Sequence, residues 1–290
     1  MLQNNEDFAG GIMTGKLYGT YIFDYYGTLV DIKTDEGKKD LWKKLAGIYA
    51  AYGADYTGKE IHEFYDRLCA DETNHVKKVM GVWHPDMQLD FPEIQLDRVF
   101  ARLLVEAPRH HETKATIDGK QVRLLSVEEI AQSEWVYMLS NMFRVLSRER
   151  LSAYPNTIKT MQFLKKKGCK LYLLSNAQGS FTRVELEMTG VLDYLDGVYI
   201  SSDKQIRKPQ PEFLRSLIEQ FNVDTKEAVM VGNDMQSDMG IASACGIPGI
   251  FLNTFGWDDE KIEEERKLIP NADLADITIV KNGDIGFLMK

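Results

Sequence analysis

The sequence predicts an α/β protein with a doubly wound parallel sheet that is interrupted by a mostly helical insertion. From residue 152 to the end of the chain, short apolar segments that favour strands alternate with amphipathic segments that favour helices. A similar apolar segment lies just before Asp24, and the stretch between the two regions has mainly helical periodicity. Strands that alternate with helices are typical of βαβ units, in which helices cover both faces of a parallel sheet.

The N-terminal part supplies one strand and the insertion. Residues 17–23 (LYGTYIF) are aromatic and β-branched, which favours a strand, and Gly27-Thr28 indicates a turn after it. In the insertion, apolar spacing predicts a first helix near Leu41 to Tyr52, three further helices and a short hairpin. The further helices are expected at 60–69, 94–105 and 127–146, and the hairpin at 116–125.

The C-terminal part supplies the remaining strands and helices of the sheet. Strands are expected at 169–175, 197–201, 228–231, 249–252 and 276–280, and helices at 156–167, 181–188, 211–221 and 235–245. We therefore predict an α/β core from residues 16–32 and 152–290. Residues 33–151 would form a helical cap domain, and residues 1–15 a flexible tail.

The composition limits the class of protein. The 290 residues include 35 Lys and Arg against 44 Asp and Glu, a formal net charge of −9. Binding to nucleic acid needs clustered basic residues, so this balance argues against such a partner. We expect instead a small-molecule anionic substrate in a local cationic pocket. No segment approaches the roughly 18 apolar residues of a membrane span, and the three separated cysteines fit buried free thiols. A cytoplasmic protein with no membrane partner is expected.

Polar residues follow the predicted strands. In open α/β sheets, ligands bind beyond the carboxyl ends of the strands, so side chains at these positions are candidates for one site. The candidates are Asp24, Thr28, Ser175, Asn176, Lys208, Asn233, Asp234 and Asp238. A single such residue has an ordinary structural explanation as a turn or helix cap, but several that converge on one edge indicate a functional site.

Four segments that contain these residues resemble the motifs of the haloacid dehalogenase (HAD) superfamily in order and spacing. FDYYGTL at 23–29 resembles motif I, LLSNA at 173–177 motif II, RKPQPEF at 207–213 motif III and VGNDMQSD at 231–238 motif IV. The resemblance covers the whole predicted core and implies a Rossmann-like fold with a cap inserted after motif I. It also implies a hydrolase in which Asp24 is the covalent nucleophile.

The resemblance implies roles for other residues as well. Lys208 would neutralise the charge of nucleophile and substrate together, and the substrate oxyanion would be bound by Thr28, Ser175 and Asn176. A Mg²⁺ ion would be held by Asp24, the backbone carbonyl of Tyr26 and Asp234. Asp238 would either bind the metal directly or hold Lys208.

Motif I departs from the pattern of the superfamily's phosphatases. These usually carry a second Asp, the general acid, two residues after the nucleophile, and here that residue is Tyr26. A phenol with a pKa of about 10 is a poor acid near neutrality. The Asp-x-Tyr-Gly-Thr pattern resembles 2-haloacid dehalogenases, which release halide without protonation or metal, whereas the acidic motif IV favours a metal-dependent phosphatase.

Three hypotheses follow. The first is Mg²⁺-dependent hydrolysis of a small phosphorylated metabolite or an activated phosphate, in which Asp24, Lys208 and Tyr26 form the catalytic set. The second is metal-independent 2-haloacid dehalogenation. The third is a catalytically weak protein that acts by binding, although a pure binder has no need of the nucleophile.

Overall fold

The computed structural model describes residues 16–290, so the predicted tail at 1–15 lies outside the described residues. The strands are β1 (Thr20–Phe23), β2 (Val30–Thr34), β3 (Thr116–Ile117), β4 (Lys120–Gln121), β5 (Arg148–Ala153), β6 (Lys170–Ser175), β7 (Gly197–Ile200), β8 (Ala228–Gly232), β9 (Gly249–Leu252) and β10 (Ile277–Val280). The α-helices are α1 (Lys39–Ala51), α2 (Gly58–Trp83), α3 (Leu96–Val105), α4 (Val127–Ala131), α5 (Glu134–Ser147), α6 (Thr157–Lys166), α7 (Gly179–Met188), α8 (Ser201–Lys204), α9 (Pro211–Phe221), α10 (Gly240–Cys245) and α11 (Asp259–Arg266).

A parallel sheet of six strands forms the centre of the α/β part. Its order is β10-β9-β8-β1-β6-β7, so the first strand of the described chain lies in the middle, hydrogen-bonded to β6 and β8. Every residue of β1 and β8 is buried, as expected for parallel strands covered on both faces. The predicted α/β fold with a doubly wound sheet is confirmed. No helix within residues 16–290 combines the length and the apolar character that crossing a membrane requires.

The insertion joins this sheet through a two-stranded antiparallel ribbon. β2 pairs with β5, and helices α1 to α5 lie between them in the chain. This ribbon was not predicted, because the sequence of β5 (RERLSA) is polar and partly exposed and lacks the apolar character of a buried strand. The ribbon lies at the expected junctions near residues 32 and 152. The assignment of residues 33–151 as a separate cap domain remains a prediction.

The insertion supplies most of a second hydrophobic core, which includes Trp42, Tyr49, Phe100 and Phe143 and to which Phe181 of α7 also contributes. One continuous helix was predicted at 127–146, but the structure has two helices there, α4 and α5. The hydroxyl of Ser133 accepts a hydrogen bond from the N–H of Val136 and so caps the start of α5.

Helix α2 is much longer than the predicted segment at 60–69. It begins at a capping box made by Thr57 and Glu60, and it extends over 26 residues. The first half packs in the core of the insertion, whereas Val76 and Met80 pack with residues of the central sheet. The buried Glu72 interrupts the apolar pattern, which explains why the predicted helix is shorter than the observed one.

Two hydrogen-bonding patterns follow β8. Residues Met235–Met239 form a turn of π-helix, and α10 begins only at Gly240. The prediction of one regular helix over 235–245 is therefore wrong in this first turn. Single π-turns are frequent near functional sites, and this one begins directly after the motif IV residues Asn233 and Asp234.

Candidate active site

The site is built around Asp24, which directly follows β1 at the carboxyl edge of the sheet. Its backbone N–H donates to the carbonyl of Val231 at 2.9 Å, which continues the pairing with β8. The Oδ1 atom of Asp24 accepts hydrogen bonds from Lys208 Nζ at 2.7 Å and from Ser175 Oγ at 3.2 Å. The Oδ2 atom accepts one from Thr28 Oγ1 at 3.1 Å. The side chain is therefore held in one orientation by three donors.

Lys208 is the cationic centre of the site and is 2% exposed. Besides Asp24, its Nζ donates to Asp238 Oδ1 at 2.6 Å and to the carbonyl of Leu174 at 2.8 Å. Burial lowers the pKa of Lys208, but the carboxylates of Asp238 and Asp24 outweigh it and raise the pKa overall. The lysine is therefore an ammonium whose three donors all have acceptors.

Asn176 holds the backbone of this lysine. Its Oδ1 accepts from the N–H of Lys208 at 2.8 Å, and its Nδ2 donates to the carbonyl of Lys208 at 3.1 Å. Both ends of the amide are thus engaged with one residue. The substrate-binding role of Asn176 remains a prediction, and these contacts favour a role in positioning Lys208.

Asp238 is fully buried and faces the lysine. Its Oδ2 atom accepts from the backbone N–H groups of Asn233 and Asp234, both at 3.0 Å. Burial raises the pKa of Asp238, and the Lys208 ammonium opposes that rise. Because both oxygens face donors, we assign Asp238 as a carboxylate that holds Lys208. Its role as a metal ligand remains a prediction that these contacts disfavour.

The turn after Asp24 needs glycine at position 27. Gly27 has a φ of +82°, and a Cβ atom there would lie 2.3 Å from Nδ2 of Asn233. The Asn233 amide occupies that space, and its Oδ1 lies 3.1 Å from Thr28 Oγ1, whose single hydroxyl proton is shared between this oxygen and Asp24 Oδ2. The motif I turn and the motif IV loop are therefore packed directly against each other.

The Tyr26 side chain belongs to a buried cluster on α7. Its hydroxyl donates to Oε2 of Glu185 and lies 3.0 Å from Oγ1 of Thr182. The same carboxylate binds Arg144 and Arg148, each with a nitrogen 2.8 Å from Oε1. Burial and then the charge of Glu185 raise the pKa of Tyr26 far above its ordinary value, while Arg144 opposes the rise. The catalytic role of Tyr26 remains a prediction, and its hydroxyl serves to anchor the motif I turn.

Sequence reasoning missed this cluster of Glu185, Arg144 and Arg148. Glu185 lies on a helix that looks amphipathic in sequence, and the two arginines lie at the end of the insertion. Their buried positions depend on how α5 packs against α7, for which the local sequence carries no signal.

A Mg²⁺ site can be tested against the donors present. In residues 16–290, no group of three or more His, Cys, Asp and Glu side chains is arranged to hold a metal. Mg²⁺, however, is usually bound through one or two carboxylates together with waters and substrate oxygens. Asp24 and Asp234 would supply that smaller set. Within the described residues Oδ2 of Asp24 faces only the neutral hydroxyl of Thr28, and of the two Asp234 oxygens only Oδ1 accepts a hydrogen bond, from the N–H of Ser237. The donor chemistry therefore fits Mg²⁺ when the carbonyl of Tyr26 is included.

The structure brings Asp24, Thr28, Ser175, Lys208 and Asp238 into one hydrogen-bonded cluster at the edge predicted from the strand ends. Their individual roles in catalysis and binding remain predictions.

Comparison with known proteins gives a family and several relatives. A family model for haloacid dehalogenase-like hydrolases matches residues 18–246. The chain is similar to the phosphoglycolate phosphatase of Rhodospirillum rubrum, 29% identical over 126 residues, which cover 43% of this chain and 52% of that protein. It is also similar to the phosphoserine phosphatase of Thermus thermophilus, 29% identical over 106 residues, which cover 37% and 43% of the two chains. The chain thus spans about half the length of the curated relatives it matches.

Solved structures with similar chains include an L-2-haloacid dehalogenase and a HAD phosphatase. The dehalogenase is 16% identical, with 95% of this chain and 100% of that chain covered and a TM-score of 0.49. The phosphatase, from Thermococcus onnurineus, is 20% identical, with coverage of 91% and 94% and a TM-score of 0.47.

Proposed function

Because this chain belongs to the haloacid dehalogenase-like hydrolase family, we propose that it hydrolyses a small phosphorylated substrate through a covalent intermediate on Asp24. The observation that carries the proposal is the contact of Lys208 Nζ with Asp24 at 2.7 Å and with Asp238 at 2.6 Å. A buried ammonium in this position attracts an anionic substrate to the nucleophile. The phosphatase names of the curated relatives support phosphate as the group transferred.

The reaction has two displacements. An oxygen of Asp24 attacks phosphorus, and the bond from phosphorus to the leaving oxygen breaks, with the electron pair departing on that oxygen. Water then attacks the aspartyl phosphate, loses a proton to solvent, and releases inorganic phosphate and the free carboxylate. Lys208 offsets the negative charge on the transferred group. The hydroxyls of Thr28 and Ser175, which donate to Asp24 in this structure, would donate to the phosphoryl oxygens.

Asp24, Asp234 and the carbonyl of Tyr26 would hold Mg²⁺, which supplies charge neutralisation to the phosphoryl oxygens when bound.

Tyr26 narrows the class of leaving group. Its hydroxyl donates to the Glu185 carboxylate, and its raised pKa leaves it no tendency to release a proton near neutrality. A leaving group that departs from phosphorus without a proton from Tyr26 must therefore be stable as an anion. We infer that activated phosphates, such as acyl or aryl phosphates, are better substrates than alkyl monoesters.

The same observation favours one alternative. Halide leaves carbon without a proton, so the withdrawn hydroxyl of Tyr26 is also compatible with a 2-haloacid substrate attacked by Asp24. In that reaction the carboxylate attacks carbon and the halide takes the bonding pair, and no metal is required.

The experiment compares acetyl phosphate, a series of aryl phosphates of increasing leaving-group basicity, an alkyl phosphate and L-2-chloropropionate, each with and without Mg²⁺. The proposal expects Mg²⁺-dependent phosphate release that falls steeply as the leaving group becomes more basic, and that is lost in Asp24→Asn. Asp193→Asn, at an exposed aspartate, is the matched control. Metal-independent halide release would select the alternative, and absence of turnover with all substrates would favour a binding protein.

A further inference from the structure

A segment of the insertion lies directly on the loop that carries Lys208. Residues 84–95, which we call the docking segment, connect α2 to α3. The N–H of Glu93 donates to the carbonyl of Gln205 at 3.0 Å, and the N–H of Arg207 donates to the carbonyl of Phe91 at 3.1 Å. Pro92 and Ile206 thereby form an isolated antiparallel bridge. The insertion is thus joined by backbone hydrogen bonds to the residue that precedes Lys208.

Gln210 makes the second connection, on the other side of the lysine. Its Oε1 accepts from the N–H groups of Asp90 at 3.1 Å and Phe91 at 3.3 Å, and its Nε2 donates to the carbonyl of Gln88 at 3.0 Å. Nε2 also donates to Oε2 of Glu212 at 2.6 Å. The residue is 5% exposed, so these bonds are made away from solvent.

A purely local role for Gln210 does not account for these contacts. The residue is the N-cap of α9, a position where a side chain ordinarily accepts a hydrogen bond from the first turn of its own helix. The side chain of Gln210 makes no such bond, and only its carbonyl accepts from the N–H of Phe213, at 3.1 Å. Three of the four side-chain hydrogen bonds of Gln210 are made with the docking segment, and the fourth is made with Glu212 in the first turn of α9.

Lys208 is consequently held between two supports. On one side the Asn176 amide forms hydrogen bonds with the backbone N–H and carbonyl of Lys208. On the other, Arg207 and Gln210 attach the same loop to the docking segment. Since the ammonium must meet Asp24 and Asp238 at once, a small displacement of this backbone moves all of its contacts.

We propose that Gln210 is a positioning residue, which couples the docking segment of the insertion to the Lys208 ammonium. This inference rests on the proposed function, because the lysine is taken to act on the Asp24 reaction. Gln210 itself lies outside the set of groups that contact Asp24, and it acts through the backbone of the loop. The inserted segment therefore contributes to the geometry of Lys208.

The test compares Gln210→Ala with Gln220→Ala, a glutamine-to-alanine change at an exposed position of the same helix. Hydrogen exchange is followed at the amides of Asp90, Phe91 and Lys208, and kcat and KM are measured with an aryl phosphate. Gln210→Ala is expected to speed exchange at all three amides and to lower kcat about tenfold, with KM nearly unchanged. The Gln220 variant should match the wild type in both measurements.

A second variant, Gln210→Glu, keeps the acceptor for Asp90 and Phe91, removes the donor to Gln88 and to Glu212, and sets two carboxylates side by side, so exchange at Lys208 should be faster and kcat lower than in the wild type. This variant decides the question if the alanine variant does not fold. Unchanged exchange at Lys208 would overturn the proposal, as would faster exchange with an unchanged kcat. If the wild type turns over no phosphate, the proposed function fails, and the exchange at Lys208 still shows whether Gln210 holds the loop.

Discussion

Replacing Glu185 by Gln tests whether the buried cluster at Tyr26 ties the insertion to the α/β core. Glu185 is 1% exposed and is the shared acceptor for Arg144, Arg148 and the hydroxyl of Tyr26. The substitution keeps the shape of the side chain and removes its charge. The two guanidinium groups, whose side chains are only 10% and 14% exposed, then lose their counter-ion.

The expected loss follows from the burial of this cluster. Breaking a buried ion pair by removing one partner costs about 3–5 kcal/mol, because the remaining charge is left uncompensated. The glutamine oxygen still accepts one hydrogen bond, so we expect a loss of about 3 kcal/mol, at the lower end of that range. The free energy of unfolding is obtained from urea titration followed by circular dichroism.

Glu187→Gln is the matched control, since Glu187 is exposed on the same helix. Its effect should lie within about 0.5 kcal/mol of the wild type. A loss below about 1 kcal/mol for Glu185→Gln, or one equal to that of the control, would refute the reasoning. It would mean that the cluster contributes little to holding α5 against α7.

Three further predictions concern the site. Lys208→Met should lower kcat for an aryl phosphate by roughly 10²–10³; a variant that keeps more than a tenth of the wild-type kcat would contradict the role of the ammonium. Gly27→Ala should destabilise the protein by at least about 1–2 kcal/mol, because alanine resists a positive φ and its Cβ would meet Asn233. Its control, Gly47→Ala, adds a Cβ in open space on α1 and should stabilise by about 0.5–1 kcal/mol, and thermal melting measures both. Treatment with EDTA should abolish phosphate release, Mg²⁺ should restore it, and circular dichroism should stay unchanged; full activity in EDTA would show that the donors at Asp24 and Asp234 hold no required metal.

Much of the α/β core was predictable because its strands carry a strong local signal. Buried parallel strands are continuous apolar segments, and β9 and α9 have the bounds expected from the sequence. The polar groups at the strand ends could be gathered into one candidate site, since parallel strands end at the same edge. The HAD resemblance strengthened that inference.

The parts that were missed depend on tertiary contacts. β5 is a polar strand whose place is fixed by pairing with β2, and α2 continues through Glu72 because two arginines of α3 neutralise that residue. The direction of the Tyr26 side chain is likewise set by Glu185, which is 159 residues away in the chain. Periodicity reports the environment of neighbouring residues only, so it carries no information on such distant partners.

The central position of β1 has a consequence for how the protein is made. Ribosomes extend a chain at about 5–20 residues per second, and β1 must wait for both of its neighbours, β6 and β8, before the sheet can close around it. The two neighbours lie roughly 150 and 200 residues downstream, so the nascent strand Thr20–Phe23 spends about ten seconds or more without a complete pairing site. During that interval the insertion, which supplies most of a second hydrophobic core, is also synthesised. An apolar strand exposed for that long is a natural target for chaperones that bind chains during translation.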